Sequence, residues 1–188
     1  MTWEELEEKC KTCEKCSLCK NRHNVVFGCG NKKAEILFVG EAPGETEDLK
    51  GEPFVGRAGK LLDLYLESAD IKREDVYIAN ILKCRPPSNR DPLPEEQDEC
   101  IGYLREQFRL IDPKLVVCLG RISAMRLIKP DFRITKEHGV FFNKNGYTFC
   151  AVYHPSALLR DPIKKEDAYI DFQNIKKKLA QLKEKSGQ

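Results

Sequence analysis

The chain has 188 residues, 33% of them charged and 41% hydrophobic, with a formal net charge of +2. That length suits a single domain, residues 1–188, able to bury most of its apolar surface in one core. So small a net charge excludes a generally basic nucleic-acid coat and leaves only local positive patches. No apolar run approaches the roughly 20 residues that span a bilayer. The opening Met1-Thr2-Trp3-Glu4-Glu5 lacks signal-peptide character, so a cytoplasmic protein without a membrane partner is expected. Nine cysteines, an odd count with no secretion signal, argue against a disulfide framework and for thiolates on a metal. Some of the nine should still be inert core thiols.

Thr2 and Glu5 have capping-box spacing and open a helix through Trp3 and Leu6. Cys10-x2-Cys13-x2-Cys16-x2-Cys19 follows, and cysteines two residues apart can chelate one metal centre. The run departs from the ferredoxin pattern in its last interval and has no following proline, which argues against all four holding one cluster. Zinc and iron–sulfur both remain open at this point. A loop from Asn24 to Asn31 leads to Ile36-Leu37-Phe38-Val39, an aliphatic run that reads as a strand buried on both faces.

That strand ends in Gly40-Glu41-Ala42-Pro43-Gly44, which brings bare backbone and one carboxylate to the carboxyl edge of a sheet. Ligands bind at such edges, although an ordinary strand-to-helix turn has the same composition. Gly51 to Gly56 is a second glycine-bounded loop, and its flanks suggest that Phe54 is exposed. Leu61, Leu62, Tyr65, Leu66 and Ala69 form a core-facing helical stripe. Val76 to Leu82 is a second strand, with the polar Asn80 inside it. A buried amide needs partners, either structural ones or a bound base.

The proline-rich segment from Lys83 to Pro92 is a loop that carries Cys84, Arg85 and Arg90. A helix starts at Pro94, places Ile101, Leu104, Phe108 and Ile111 inward, and carries Cys100 in its first turns. Leu115 to Gly120 is a third strand, with Cys118 in the core, and a short helix spans Arg121 to Ile128. A fourth strand, Thr148 to Tyr153, ends in His154-Pro155-Ser156-Ala157-Leu158-Leu159-Arg160. The last helix buries Phe172, Ile175, Leu179 and Leu182, turns Lys176 to Lys178 outward, and frays from about Lys183 to Gln188. Strands alternating with helices make an α/β protein with a mostly parallel sheet. Glu41, Asn80 and His154 all fall at or near strand ends, and that convergence marks a candidate site.

The stretches GEAPGETED (Gly40 to Asp48), GEPFVGRAG (Gly51 to Gly59), VYIANILKCRPPSNRDP (Val76 to Pro92) and YHPSALLR (Tyr153 to Arg160) carry a specific likeness. In order and in spacing the chain resembles the family 4 uracil-DNA glycosylases, the iron–sulfur branch of the uracil-DNA glycosylase superfamily. The resemblance implies a three-layer α/β/α sandwich around a four-stranded parallel sheet. It implies a monomer acting on uracil-containing DNA, single- or double-stranded, that releases free uracil and leaves an abasic site. It also implies a structural 4Fe–4S cluster on Cys13, Cys16, Cys84 and Cys100, with Cys10 and Cys19 as extra thiols.

By the same resemblance Phe54 stacks on a flipped uracil, Asn80 reads its O4 and N3–H, and Gly40 and Ala42 offer backbone to the base. His154 stabilises the leaving uracil at O2. Glu41 is the first candidate for positioning water or steadying the cationic sugar. Glu47 is the second, or else it closes the pocket against a C5 methyl group. Arg85, Pro155, Ser156, Leu158, Leu159 and Arg160 form the DNA-handling set, with one leucine filling the gap left by the flipped base. Two other readings compete: a superfamily member with different base specificity or a covalent histidine trap, and a non-enzymatic metal-stabilised nucleic-acid-binding or redox protein. The segment Arg85 to Arg90 contains no histidine, which counts against the trap.

Overall fold

The computed structural model describes residues 1–187. In chain order the elements are α1 (Trp3–Lys11), β1 (Cys29–Gly30), β2 (Ile36–Gly40), α2 (Glu45–Lys50), α3 (Arg57–Ser68) and β3 (Tyr77–Asn80). Then come α4 (Pro94–Ile111), β4 (Leu115–Leu119), α5 (Arg121–Leu127), α6 (Ile134–Glu137), β5 (Phe142–Lys144), β6 (Tyr147–Val152), α7 (Pro155–Arg160) and α8 (Lys165–Ser186). The Thr2–Glu5 capping box forms reciprocally, with Glu5 N donating to Thr2 Oγ1 at 3.2 Å and Thr2 N to Glu5 Oε2 at 2.8 Å.

The aliphatic runs form strands because each buries side chains on both sheet faces. Along β2, Ile36 and Phe38 join the core beneath α3 and α8, while Leu37 and Val39 join the core beneath α1 and α4. Fully burying each such side chain contributes about 1.5–3 kcal/mol, and it forces helices onto both faces of the sheet. Phe172 of α8 stacks at 6.2 Å on Phe38 and at 5.2 Å on Tyr65, fixing α8 and α3 over one face.

The sheet order is β1-β3-β2-β4-β6-β5. Its four inner strands are parallel, as expected, and two short antiparallel strands are added at the edges. The β5 edge comes from a two-residue hairpin. Asn145 (φ +52°) and Gly146 (φ +83°) are both left-handed, which suits the right-handed twist of the strands they join. The chain also continues as helix through the segment expected to fray. α8 runs to Ser186, and Lys183 pairs with Glu35; Gln188 lies outside the described residues. Among the described residues no helix is long and apolar enough to cross a membrane.

From β2 the chain crosses to β3 on one side and then returns to β4 on the other. Such a reversal opens a crevice at the carboxyl ends of the strands. The turns after β2, β3 and β6 all end there.

Candidate active site

A cavity of about 230 Å³ lies at that edge, lined by Glu41, Ala42, Glu47, Phe54, Asn80 and His154, together with Pro86, Asn89, Arg90 and Ser156. Gly40 and Asn80 are register partners across β2 and β3, which sets the turn and the amide side by side. Asn80 is 2% exposed, and its Oδ1 is buried without a hydrogen-bond partner among the described residues. Leaving such an acceptor unpaired costs about 1–3 kcal/mol, recovered when a ligand donor meets it.

Gly40 makes room for this geometry. A Cβ there would collide with Asn80 Oδ1 and come within 2.7 Å of Phe54 Cζ. Gly40→Ala is therefore expected to overpack the pocket, at a cost of about 1–3 kcal/mol. Inhibition by free uracil should weaken about tenfold or more, and a titration with unchanged affinity would show that this wall is not in contact with ligand.

Phe54 is not exposed as its glycine flanks suggested. It is 6% exposed, lines the cavity, and keeps a left-handed backbone with φ +51°. The flanking glycines mark backbone freedom rather than a surface loop. That strained conformation is over-determined by two side chains. Glu47 Oε1 accepts from Val55 N at 3.1 Å and Gly56 N at 3.0 Å, and Arg73 donates to Phe54 O at 2.8 Å and Pro53 O at 2.7 Å. Glu47 thus has one carboxylate oxygen committed to holding the aromatic loop, which makes it a positioning group before anything else.

α2 is itself anchored from the cysteine-rich segment. Asp48, 1% exposed, accepts from His23 N at 2.9 Å and Asn24 N at 3.3 Å through Oδ1, and meets His23 Nδ1 at 2.7 Å through Oδ2. Burial pushes this carboxyl upward, but the His23 and Asn24 hydrogen bonds outweigh it and hold the group below the ordinary range.

His154 caps α7 with its own side chain. Nδ1 accepts from Ser156 N at 3.1 Å and sits 2.7 Å from Ser156 Oγ. With Nδ1 an acceptor, the ring proton is on Nε2, which makes it a donor. Burial, then nearby Arg160, push the imidazole down to about 4, against a weaker upward pull from Glu47. The ring is therefore neutral at physiological pH. It lies 5.5 Å from the Phe54 ring, and Gly120 (φ +93°) passes so near that a Cβ there would sit 2.9 Å from His154 Cβ. Glu41 is pushed up to about 7, first by burial and then by Asp91, with Arg121 and Arg160 opposing.

The DNA-handling set divides. Leu158 is 1% exposed and belongs to the core, and Pro155 is buried as the first residue of α7. Neither offers a surface contact, so Leu159, half-buried, is the accessible leucine of the pair. The Ser156 hydroxyl faces His154 rather than standing free for phosphate. Arg160 is exposed, and Arg85 is half-buried with Nε on Asn89 Oδ1 at 2.8 Å.

Sequence reasoning missed Pro86, Asn89 and Arg90 as cavity walls. Arg90 grips Glu96 with two bonds of 2.6 and 3.0 Å, and Glu96 also caps α4 by accepting from Leu93 N at 3.0 Å. An arginine six residues before a helix-start glutamate was the available signal.

Behind the turn, Cys10, Cys13, Cys16, Cys19, Cys84 and Cys100 line one small apolar cavity. Among the described residues, no three His, Cys, Asp or Glu side chains meet at a single-ion position. Burial pushes Cys10 up to about 12 and Cys100 up to about 11, so metal binding here must displace thiol protons. Arg22 Nη1 donates to Cys84 Sγ at 3.5 Å and Cys13 O at 2.6 Å, and Lys83 N donates to Cys100 Sγ at 3.3 Å. Thiols with N–H donors already aimed at sulfur fit a thiolate-ligated group. Ala42 of the turn packs against this same cluster.

Residues 27–179 match the model of the uracil DNA glycosylase superfamily. A type-4 uracil-DNA glycosylase of Archaeoglobus fulgidus is 49% identical over 172 residues, 87% of this chain and 86% of that one. One of Saccharolobus solfataricus is 44% identical over 93% of this chain and 85% of its own. A type-5 uracil-DNA glycosylase of Pyrobaculum aerophilum is 33% identical over 69% of this chain and 64% of its own. With the family model covering most of the chain and relatives this similar over most of both lengths, the chain belongs to the uracil DNA glycosylase superfamily, on its type-4 branch.

Proposed function

We propose that this chain is a single-domain DNA-repair glycosylase of the cytoplasm, acting as a monomer, that draws deoxyuridine out of DNA and hydrolyses its N-glycosidic bond. The observation that carries the reading is the unpaired Asn80 Oδ1 inside a base-sized cavity beside the Phe54 and His154 rings. A uracil ring extruded into this space stacks on Phe54. Its N3–H meets Asn80 Oδ1 and its O4 takes the amide N–H, whereas cytosine offers the reverse pattern and leaves both pairs unmatched.

As the bond breaks, negative charge gathers on the departing base. The His154 Nε2–H is a preorganised donor for uracil O2, supported by backbone N–H groups of the Glu41-Ala42 turn. Glu41 positions water or steadies the cationic sugar, and Glu47 keeps Phe54 in place. Arg85, Leu159 and Arg160 handle the DNA strand. Arg160 pairs with phosphate, and Leu159 is the side chain available to fill the vacated gap.

Cys13, Cys16, Cys84 and Cys100 hold a 4Fe–4S cluster, supported by their shared cavity and by N–H donors on two of the sulfurs. The cluster supplies structural cross-linking and takes no part at the reacting bond. The test is base release from single-stranded oligonucleotides containing uracil, thymine or hypoxanthine. Free uracil alone, with no protein–DNA adduct, is the expected product. No uracil release overturns the enzyme, and a stable adduct turns it into a covalent trap.

A further inference from the structure

We propose that Lys83 and Arg22 are built-in counter-charges of the cysteine-lined cavity, placed to hold a dianionic four-thiolate group there; this rests on the metal reading above. Lys83 is 1% exposed, one of the largest fully buried side chains in the protein. Its Nζ donates to Phe27 O at 3.1 Å and Gln107 Oε1 at 2.7 Å, and lies 5.9 Å from the Phe27 ring centre. Gln107, 0% exposed, is locked in that orientation because its Nε2 bonds Phe27 O at 2.9 Å and Tyr77 OH at 3.3 Å.

Every one of these acceptors is neutral. Among the described residues, neither Lys83 nor Arg22 forms a salt bridge to a carboxylate. Burial pushes the Lys83 ammonium toward its neutral form, so its charge needs an anion beside it, as buried charges are regularly paired or set against a metal site. The anion at hand is the thiolate set. Lys83 lines the same cavity as Cys10 and Cys100, and its own backbone N–H bonds Cys100 Sγ at 3.3 Å. Arg22, half-buried, lines the cavity too and donates to Cys84 Sγ at 3.5 Å. Lys15 and Glu99 also line the cavity, and their opposite signs cancel.

Four thiolates carry four negative charges. A 4Fe–4S core in its oxidised resting form carries two positive ones, so the group is a dianion and two cations neutralise it. A zinc ion on four thiolates has the same total, so the charge balance applies to either metal. Removing one cation leaves excess negative charge, which loosens the metal group and makes an iron–sulfur cluster harder to reduce.

The experiment uses the full chain purified without air, as wild type, Lys83→Met, Lys83→Arg and Arg22→Gln. Iron and acid-labile sulfide retained through dialysis are measured with the reduction midpoint. Lys83→Met is expected to lose its visible absorbance about tenfold faster or more, in the range seen for lost outer-shell partners. Its midpoint should move negative, while Lys83→Arg stays near wild type. A midpoint and loss rate in Lys83→Met equal to wild type overturn the proposal. If Lys83→Met fails to fold, Arg22→Gln decides: a negative shift supports the assignment and an unchanged midpoint overturns it. If the wild-type protein holds zinc and no iron, the iron–sulfur reading falls. The counter-charge proposal is then judged on zinc release to a chelator, faster from Lys83→Met in support and equal to wild type against.

Discussion

His154→Ala is expected to slow the single-turnover release of uracil by about 10²–10³-fold, the usual effect of removing one preorganised donor to a developing anion. The donor is fixed before substrate arrives, because Ser156 N–H occupies Nδ1 and leaves the proton on Nε2. With the imidazole pushed down to about 4, the ring carries no charge across the working range. Its contribution should therefore not titrate between about pH 5 and 9. The linkage has a matching sign. A histidine depressed in the fold contributes stability above its ordinary value of 6.5 and loses it as pH falls toward about 4. Uracil-DNA affinity should change less than the rate, since the bond to O2 strengthens mainly as charge develops. A variant within threefold of wild type would remove His154 from the chemistry.

Glu41→Gln should give two opposite results. Glu41 is raised to about 7 by burial and by Asp91. A carboxyl raised in the fold contributes its stability below the unfolded value and loses it as pH climbs through the folded one. Near pH 8 the wild-type protein thus keeps a poorly solvated carboxylate, and the glutamine variant should be more stable by about 2–4 kcal/mol; below about pH 4 the two should unfold alike. Activity should go the other way. If the carboxylate is the working form, wild-type rates fall about tenfold per pH unit below about 7, and Glu41→Gln is slower by about 10²-fold with that acid limb gone. Denaturant melts at two pH values and a rate–pH profile read both effects. A variant with wild-type rate and profile would leave Glu41 as a helix-start carboxylate only.

The layers of the fold were legible because β2, β3, β4 and β6 are aliphatic runs with turn residues at their ends. The β5 edge rests on Asn145-Gly146, a two-residue turn between short polar flanks that show no aliphatic run. Asn80 and His154 could be placed at the edge because one closes β3 and the other follows β6 by two residues. Phe54 was misjudged because glycines report permitted φ and not exposure. Leu158 and Leu159 could not be told apart because α7 is six residues long, too short for a stripe. Only the folded chain, with Leu158 1% exposed, shows that this leucine turns inward. Glu47 and Asp48 owe their tasks to residues outside their own helix, Val55 and Gly56 for one and His23 for the other, and local pattern holds no trace of such pairings.

The Gly40–Gly44 turn presents Glu41 to the cavity and packs Ala42 against the cysteine cluster, so one residue separates two sites of different chemistry. A change at the cysteine cluster is therefore one side chain away from the cavity. Disturbance at the cysteines has two routes outward, through Ala42 to the cavity and through Cys10, Cys13 and Cys100 to the sheet face that carries Leu37, Val39 and Val116. Oxidation of the cysteines should then lower uracil release and thermal stability together.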